Sequence, residues 1–408
     1  MPKRLTKTTN GPAVSSRSVS KPARRWLVIG NPENRRVGLF QQALLELGQR
    51  PADVLSYIDL LQDPALLPAA LERNESNLLR IESPGENPLV EKLIIARGAR
   101  ATEATELVSK IARLRADPGR IRWPQLWFAG FSDLLQDLAT ELDRHAELRV
   151  QNHPTAIRTL FDKPACHRLL QSCGVAVPRV LPAVKNYDEL RTAMQDAGMT
   201  RVFVKLACGS SSSGVVALST ANTRPLAITS LELVRHRGEA RFYNNLQLSR
   251  YNREQDIRTI CDFLCGEGAH VEEWLPKARQ DERELDLRVV TIGGRARHAV
   301  VRTSRSPITN LHLGNRRGDL SSLKTAMGAR WKIVTEICEQ AAAAFPQALS
   351  IGWDLLVTPG FRRAYILEGN AFGDLLPNVL FRGDSTYAAT IRVAASQGQA
   401  RTRSNETG

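Results

Sequence analysis

Apolar and polar positions along the chain follow two rhythms, a period of two and a period near 3.6, and the switches between them mark its elements. RWLVIG (residues 25–30) reads as a short buried strand, and after it Val37, Phe40, Leu44, Leu45 and Leu47 recur near helical spacing until Gly48. PADVLSYIDLL (51–61), NLLRIES (77–83) and QLWFAGF (125–131) predict further strands, with helical runs at 88–98 and 101–116. This alternation predicts a small α/β layer domain over residues 26–150. The domain opens with strand, glycine and helix but has no full GxGxxG, so it is not assigned a dinucleotide site.

From residue 151 the pattern changes. Asp162 can cap a helix that holds Lys163, with Pro164 in its first turn and Gly174 as its stop. NYDELRTAMQDAGM predicts a helix, and RVFVKLA and VVALST predict strands on either side of GSSSSG (209–214). Residues 226–251 predict a hairpin turning at Gly238, followed by a helix over EQDIRTICDFLCGEG and a short strand at HVEEWLP. DLRVVTIGGRARHAVVRTS predicts a hairpin around Gly293-Gly294, and residues 320–345 an amphipathic helix. IGWDLLVT and RAYILEGN predict two strands joined at Pro359-Gly360.

Composition narrows the class. The 408 residues are 42% hydrophobic and 24% charged, which is globular and long enough for two or three domains. No apolar run is long enough for a membrane span, so the chain reads as soluble and cytoplasmic, without a membrane partner. The net charge of +14 would suit a polyanion. However, half of that excess is Lys3, Arg4, Lys7, Arg17, Lys21, Arg24 and Arg25, in a Ser/Thr-rich, acid-free stretch that reads as a disordered basic tail (1–25). Nucleic acid is therefore a disfavoured partner. The cysteines (Cys166, Cys173, Cys208, Cys261, Cys265, Cys338) show no CxxC spacing and read as reduced, mostly buried thiols.

The strand–GSSSSG–strand loop is ambiguous by itself: small residues can fold over phosphate oxygens or simply form a mobile hairpin tip. Near the C-terminus, Glu368 and Asn370 are two apart and share a strand face, and a hairpin can bring Asp354 opposite them. Two carboxylates and an amide among apolar neighbours form a hard oxygen site suited to Mg²⁺ on nucleotide phosphates; the plain alternative is polar strand ends on a solvated face. Lys163, Lys205, Arg288 and Arg302 each sit in or beside an apolar run, where an unpaired charge is costly and a polyphosphate would neutralise several.

Taken in order, DK, FVK with the Gly/Ser loop, VEEWLP, DLRVV, a basic strand, GWDLL and LEGN resemble the ATP-grasp superfamily over residues 150–395, with some similarity to the ribosomal-protein glutamate ligase type. The resemblance implies an α/β fold in which the N-terminal layer domain (26–150) precedes a two-part ATP-grasp domain (151–397, lid part about 165–275), with ATP in the cleft and a C-terminal tail at 398–408. It implies that Lys163 and Lys205 bind phosphates, and that Gly209, Ser210, Ser211, Ser212, Ser213 and Gly214 form a loop closing over them. Glu273, Trp274 and Leu275 match the adenine hinge, and Asp286 the ribose contact, with Glu282 and Glu284 as alternatives. Arg288, Arg302 and Asn310 match groups near the transferred phosphate. Asp354, Glu368 and Asn370 match ligands of a pair of Mg²⁺ ions, for which Mn²⁺ can substitute.

The implied activity is an ADP-forming carboxylate–amine ligase acting on a small molecule or a peptide. A phosphotransferase on the same fold, a basic nucleic-acid-binding protein and a non-catalytic scaffold are the competing readings. AFGDLLPN departs from the family's usual run after the metal asparagine, so the substrate is not inherited from the resemblance. The basic-aromatic hairpin 226–251 is a candidate surface for substrate or a protein partner, His312 in the loop after Pro307 is a candidate base, and a homodimer is the family's common state.

Overall fold

The computed structural model describes residues 25–404 except 74–76, 116, 146, 209–213, 222–223, 310–314 and 374. Gly209, Ser210, Ser211, Ser212, Ser213, Asn310 and His312 lie outside the described residues.

Among the described residues the strands form three sheets. The first is parallel, in the order β2-β1-β3-β4: β1 (Trp26–Ile29), β2 (Asp53–Leu55), β3 (Leu78–Ile81) and β4 (Arg149–Val150). Parallel neighbours need crossovers, supplied here by α1 (Arg35–Glu46), α2 (Tyr57–Gln62), α3 (Leu66–Arg73), α4 (Pro88–Ala101), α5 (Glu106–Ala112) and α6 (Pro124–Leu142).

Some expected elements differ. QLWFAGF is not a strand but the start of α6, with Pro124 at its first turn. Phe131, Leu134, Leu135, Leu138 and Leu142 are its buried positions, a helical stripe that the short apolar run alone does not reveal. PADVLSYIDLL yields a strand only over Asp53–Leu55, because the Ser56 side chain accepts from Asp59 N and caps α2. The second helical run is shorter than 101–116, since α4 extends to Ala101 and α5 covers only Glu106–Ala112.

The linking helices α7 (Pro154–Phe161), α8 (Lys163–Ser172) and α9 (Tyr187–Asp196) lead into the second sheet. That sheet is antiparallel, in the order β8-β7-β6-β5-β9: β5 (Arg201–Leu206), β6 (Val215–Ser219), β7 (Leu226–His236), β8 (Glu239–Tyr251) and β9 (Ala269–Glu273). It packs on α9 and α10 (Glu254–Gly266) around Leu190, Val202, Val204, Ile257, Ile260 and Leu264. Cys261 and Cys265 belong to this core as free thiols, so their one-turn spacing serves packing.

The third sheet has the order β13-β12-β11-β14-β15, with β10 (Arg279–Gln280) beside β11 (Arg283–Ile292). Its other strands are β12 (Arg295–Ser304), β13 (Arg316–Arg317), β14 (Ser350–Val357) and β15 (Ala364–Asn370). The expected 320–345 helix is two, α11 (Leu320–Met327) and α12 (Trp331–Ala343), broken where Gly328 takes φ +51. Leu287, Leu355 and Trp353 of this sheet share one core with Leu27 and Leu79 of the first sheet and Phe131 of α6. Finally, α13 (Thr386–Ser404) returns to the first sheet, where Tyr387 and Ile391 pack with Trp26, Val28 and Phe40. No helix among the described residues is long and apolar enough to cross a membrane.

Candidate active site

The second and third sheets face each other across a cleft of about 760 Å³, counting space open to solvent. Strand register explains its charged floor. Arg288 pairs with Asp354 across β11/β14, and Asp354 with Glu368 across β14/β15, giving one row of three charged side chains. Asp286 and Arg302 pair across β11/β12 in the adjacent row on the same face.

These groups interlock. Arg288 grips Asp354 with two bonds, Nε to Oδ1 at 2.5 Å and Nη2 to Oδ2 at 2.9 Å. Arg302 donates Nε to Asp286 Oδ1 at 2.7 Å and brings Nη2 within 3.0 Å of Asp354 Oδ1. Burial alone would raise the Asp354 pKa, but Arg288 and Arg302 outweigh it and hold the carboxyl at about 2. Burial likewise works against the Arg302 charge, and Asp286 and Asp354 more than offset it, so its pKa is held up.

Lys163 is the first residue of α8, capped by Asp162, whose side chain accepts from Ala165 N at 2.9 Å. Its Nζ lies 3.5 Å from Glu368 Oε1. Across the cleft, Phe203 pairs with Glu272 and Lys205 with His270, so Lys205 and Glu272 are diagonal neighbours on one face and form an ion pair. Glu272 Oε2 is buried and has no hydrogen-bond partner among the described residues. His270 beside it is kept neutral, because burial, reinforced by Lys205 and His167, pushes its pKa down to about 2.

The expected residues therefore separate. Lys163, Lys205, Glu273, Leu275, Asp286, Arg302, Asp354 and Glu368 line the cleft, while Arg288 stands behind Asp354. Asn370 donates Nδ2 to Gly352 O at 3.2 Å, which orients its amide beside Glu368. Trp274 is not part of the lining: its ring lies against Phe203 at 5.5 Å, with Arg201 Cζ over it at 4.6 Å. Glu273 is turned partly outward, paired with Arg179 at 2.9 Å. Asp286 has both oxygens held by protein, Oδ1 by Arg302 and Oδ2 by Thr309 and Lys277. Glu282 and Glu284 do not line the cleft. Gly214 has φ +66, and a Cβ there would meet Leu206 Cδ1 at 2.7 Å, so the loop's last glycine is required by its backbone.

Two charged lining residues were missed from the sequence. Glu272 escaped because its place on the cleft face depends on the pairing of β9 with β5, where Lys205 meets His270. Lys277 escaped because WLPKARQDE reads as a charged linker. In the structure Lys277 is buried, its Nζ 3.0 Å from Pro307 O and 2.8 Å from Thr309 Oγ1, and burial lowers its pKa.

Among the described residues no cluster of three or more His, Cys, Asp or Glu side chains is arranged to hold a metal ion. The Asp354–Glu368 pair with the Asn370 amide is a smaller set, and it fits Mg²⁺, which takes one or two carboxylates and completes its shell with water and phosphate oxygens.

The hairpin β7–β8 uses much of its aromatic content internally. Phe242 stacks on Phe263 at 4.0 Å, Tyr251 Oη accepts from Leu233 N at 3.0 Å, and Tyr243 forms a β-bridge with Arg120, which precedes α6.

No protein-family model and no curated protein matches the chain. Solved structures do. D-cycloserine synthetase DcsG superposes with a TM-score of 0.50 at 12% identity, over 91% of this chain and 99% of that one. The ADP complex of N5-carboxyaminoimidazole ribonucleotide synthetase superposes with a TM-score of 0.50 at 12% identity, over 91% of this chain and 77% of that one. The ATP-grasp ligase PsnB with its minimal precursor gives 0.48 at 15% identity, over 91% of this chain and 99% of that one. Sheet order, cleft and superposition agree: the chain has the ATP-grasp fold.

Proposed function

We propose that the chain is an ATP-dependent ligase that joins a carboxylate to an amine through an acyl phosphate. The observation that carries this reading is one cleft lined by the cations Lys163, Lys205 and Arg302 together with the carboxylates Asp354 and Glu368. Lysines and an arginine beside paired carboxylates suit a polyphosphate with its counter-ion. The buried, unpartnered Glu272 Oε2 calls for an N–H donor, and the exocyclic amine of adenine is one.

In this reading Phe203, Val215, Leu275 and Ile308 pack the base, and Lys163 and Lys205 neutralise phosphate oxygens. Asp354, Glu368 and Asn370 would hold Mg²⁺, which supplies charge stabilisation on the transferring phosphoryl group. Arg302 stands beside the phosphate that is transferred, and Arg288 and Arg302 together keep Asp354 ionised and oriented. A substrate carboxylate oxygen attacks the γ-phosphorus, and the bond to ADP breaks. The amine nitrogen then attacks the activated carbonyl, phosphate leaves with the C–O electrons, and the amine gives up a proton to solvent.

Thermal unfolding with Mg²⁺ and a non-hydrolysable ATP analogue tests the site. Ligand at about 100 times its dissociation constant should add roughly 2.7 kcal/mol to the parent, and Glu368→Ala should lose most of that shift. A folded parent with no shift would refute the nucleotide assignment.

A further inference from the structure

A second cavity opens on the other side of Leu206, which lines both spaces. At about 1870 Å³, counting space open to solvent, it exceeds the about 760 Å³ of the charged cleft. Residues 84–127 supply most of its wall, and Asn244 of β8 and Cys208 close it from the other side.

Several features give this cavity a ligand chemistry. Asn244 is fixed in place, because its backbone N donates to Gly119 O at 2.7 Å, while Ile121 N donates to Phe242 O at 2.9 Å. Its side-chain Oδ1 is nevertheless buried without a hydrogen-bond partner among the described residues. A buried acceptor left in this state costs about 1–3 kcal/mol, and an N–H from a ligand would satisfy it.

An aromatic wall comes next. Trp127 and Phe161 lie 6.0 Å apart, and Phe161 continues to Phe372 at 5.7 Å. Phe372 sits in the loop that follows Asn370, and that loop is clamped at three successive carbonyls. Asn152 donates to Ala371 O at 2.9 Å, Arg36 to Phe372 O at 2.5 Å, and Arg288 to Gly373 O at 3.5 Å. A Cβ on Gly373 would meet Gly352 Cα at 2.6 Å, so the loop lies directly on β14. Neither Phe372 nor Arg288 lines the cavity, but through this loop Phe161 is backed by the same Arg288 that grips Asp354.

The lining carries four cations and three carboxylates, a surplus of one positive charge. Lys92 and Arg115 are matched by Glu86 and Glu91, while Arg120 and Arg122 are both paired to Asp117. A surplus of one charge is too small to hold a polyanion and suits a chain of little net charge.

We propose that this cavity receives the second substrate, and that this substrate is peptide-like: a chain with N–H donors for Asn244 and an apolar side chain against Trp127 and Phe161. The inference rests on the reading of the adjoining cleft as the nucleotide site.

The test uses the full-length protein. Nucleotide binding is measured first, by the thermal shift with Mg²⁺ and the ATP analogue. ADP release from ATP is then followed with the tripeptides Gly-Phe-Gly, Gly-Leu-Gly, Gly-Gly-Gly and Gly-Glu-Gly. The phenylalanine and leucine peptides should stimulate release roughly tenfold more than the other two. Asn244→Leu should raise the peptide KM while the nucleotide shift persists. Leu89→Arg should do the same at the mouth, where Leu89 is 46% exposed and the substitution leaves the core intact. A protein that binds the nucleotide but responds equally to all four peptides, or to none, overturns this inference alone. Absence of any nucleotide shift overturns the cleft assignment, and this inference with it.

Discussion

Across the cleft, the third sheet carries a continuous network of Asp286, Arg302, Asp354 and Arg288, whereas the second sheet offers one pair, Lys205 and Glu272. The apolar cores differ in the same sense. The third sheet shares its core with the first sheet, so separating them would expose Leu27, Leu79, Leu287 and Trp353 together. The second sheet has a core of its own with α9 and α10. The comparison teaches that the side holding the carboxylates shares its apolar core with the first sheet, while the side holding Lys205 has its own core and is tied to residues 119–121 by backbone bonds from β8.

Breaking the network should have the largest effect. Asp354→Ala leaves Arg288 and Arg302 charged in a buried site and should cost about 3–5 kcal/mol in urea unfolding. Loss of less than about 1 kcal/mol would mean that the network is not what holds the third sheet together.

Lys205→Ala sharpens the contrast. It strands the buried Glu272 and should cost about 1–3 kcal/mol. Hydrogen exchange should speed up in β5 and β9 while β11 and β14 keep their protection. Equal loosening of both sheets would show that they unfold as one.

Acid gives a third test. The Asp354 carboxyl is held at about 2 in the folded chain, below its unfolded value near ~3.9. The unfolded state therefore binds more protons between these values, so the stability that Asp354 contributes is complete above pH ~4 and is lost as pH falls through about 2. The stability difference between the parent and Asp354→Asn, followed by denaturant unfolding, should shrink by about 2 kcal/mol over that window. A constant difference would mean that Arg288 and Arg302 do not depress this group.

The smallest effect belongs to the second sheet's hairpin. Arg235 pairs with Asp256 at 2.9 Å while more than half exposed. Arg235→Ala should therefore change stability by no more than about 0.5 kcal/mol, and a larger loss would show that the hairpin is more tightly tied to α10 than its exposure indicates.

What could be read in advance followed from how local the signal was. The hairpins at Gly293-Gly294 and Pro359-Gly360 were legible because a turn and the alternation beside it lie within one short stretch. QLWFAGF was misread because a short apolar run suits a strand or a helix equally. What decides it is the packing of α6 on α4, where a Cβ on Gly130 would come within 1.9 Å of Ile94 O. Lys277 escaped notice because Asp286, Thr309 and Pro307, which surround it, come from other elements.

By itself the sequence determined which faces carry charge. Period two alone places Asp286 with Arg288, and Glu368 with Asn370, on single strand faces, because successive side chains on a strand point to opposite sides. Only the tertiary structure decided which of those faces meet. Register across β11, β14 and β15 made a row of Arg288, Asp354 and Glu368, and docking of residues 119–121 against β8 enclosed the second cavity. Pairings between distant segments depend on the shape of the whole folded chain, and no local pattern records them.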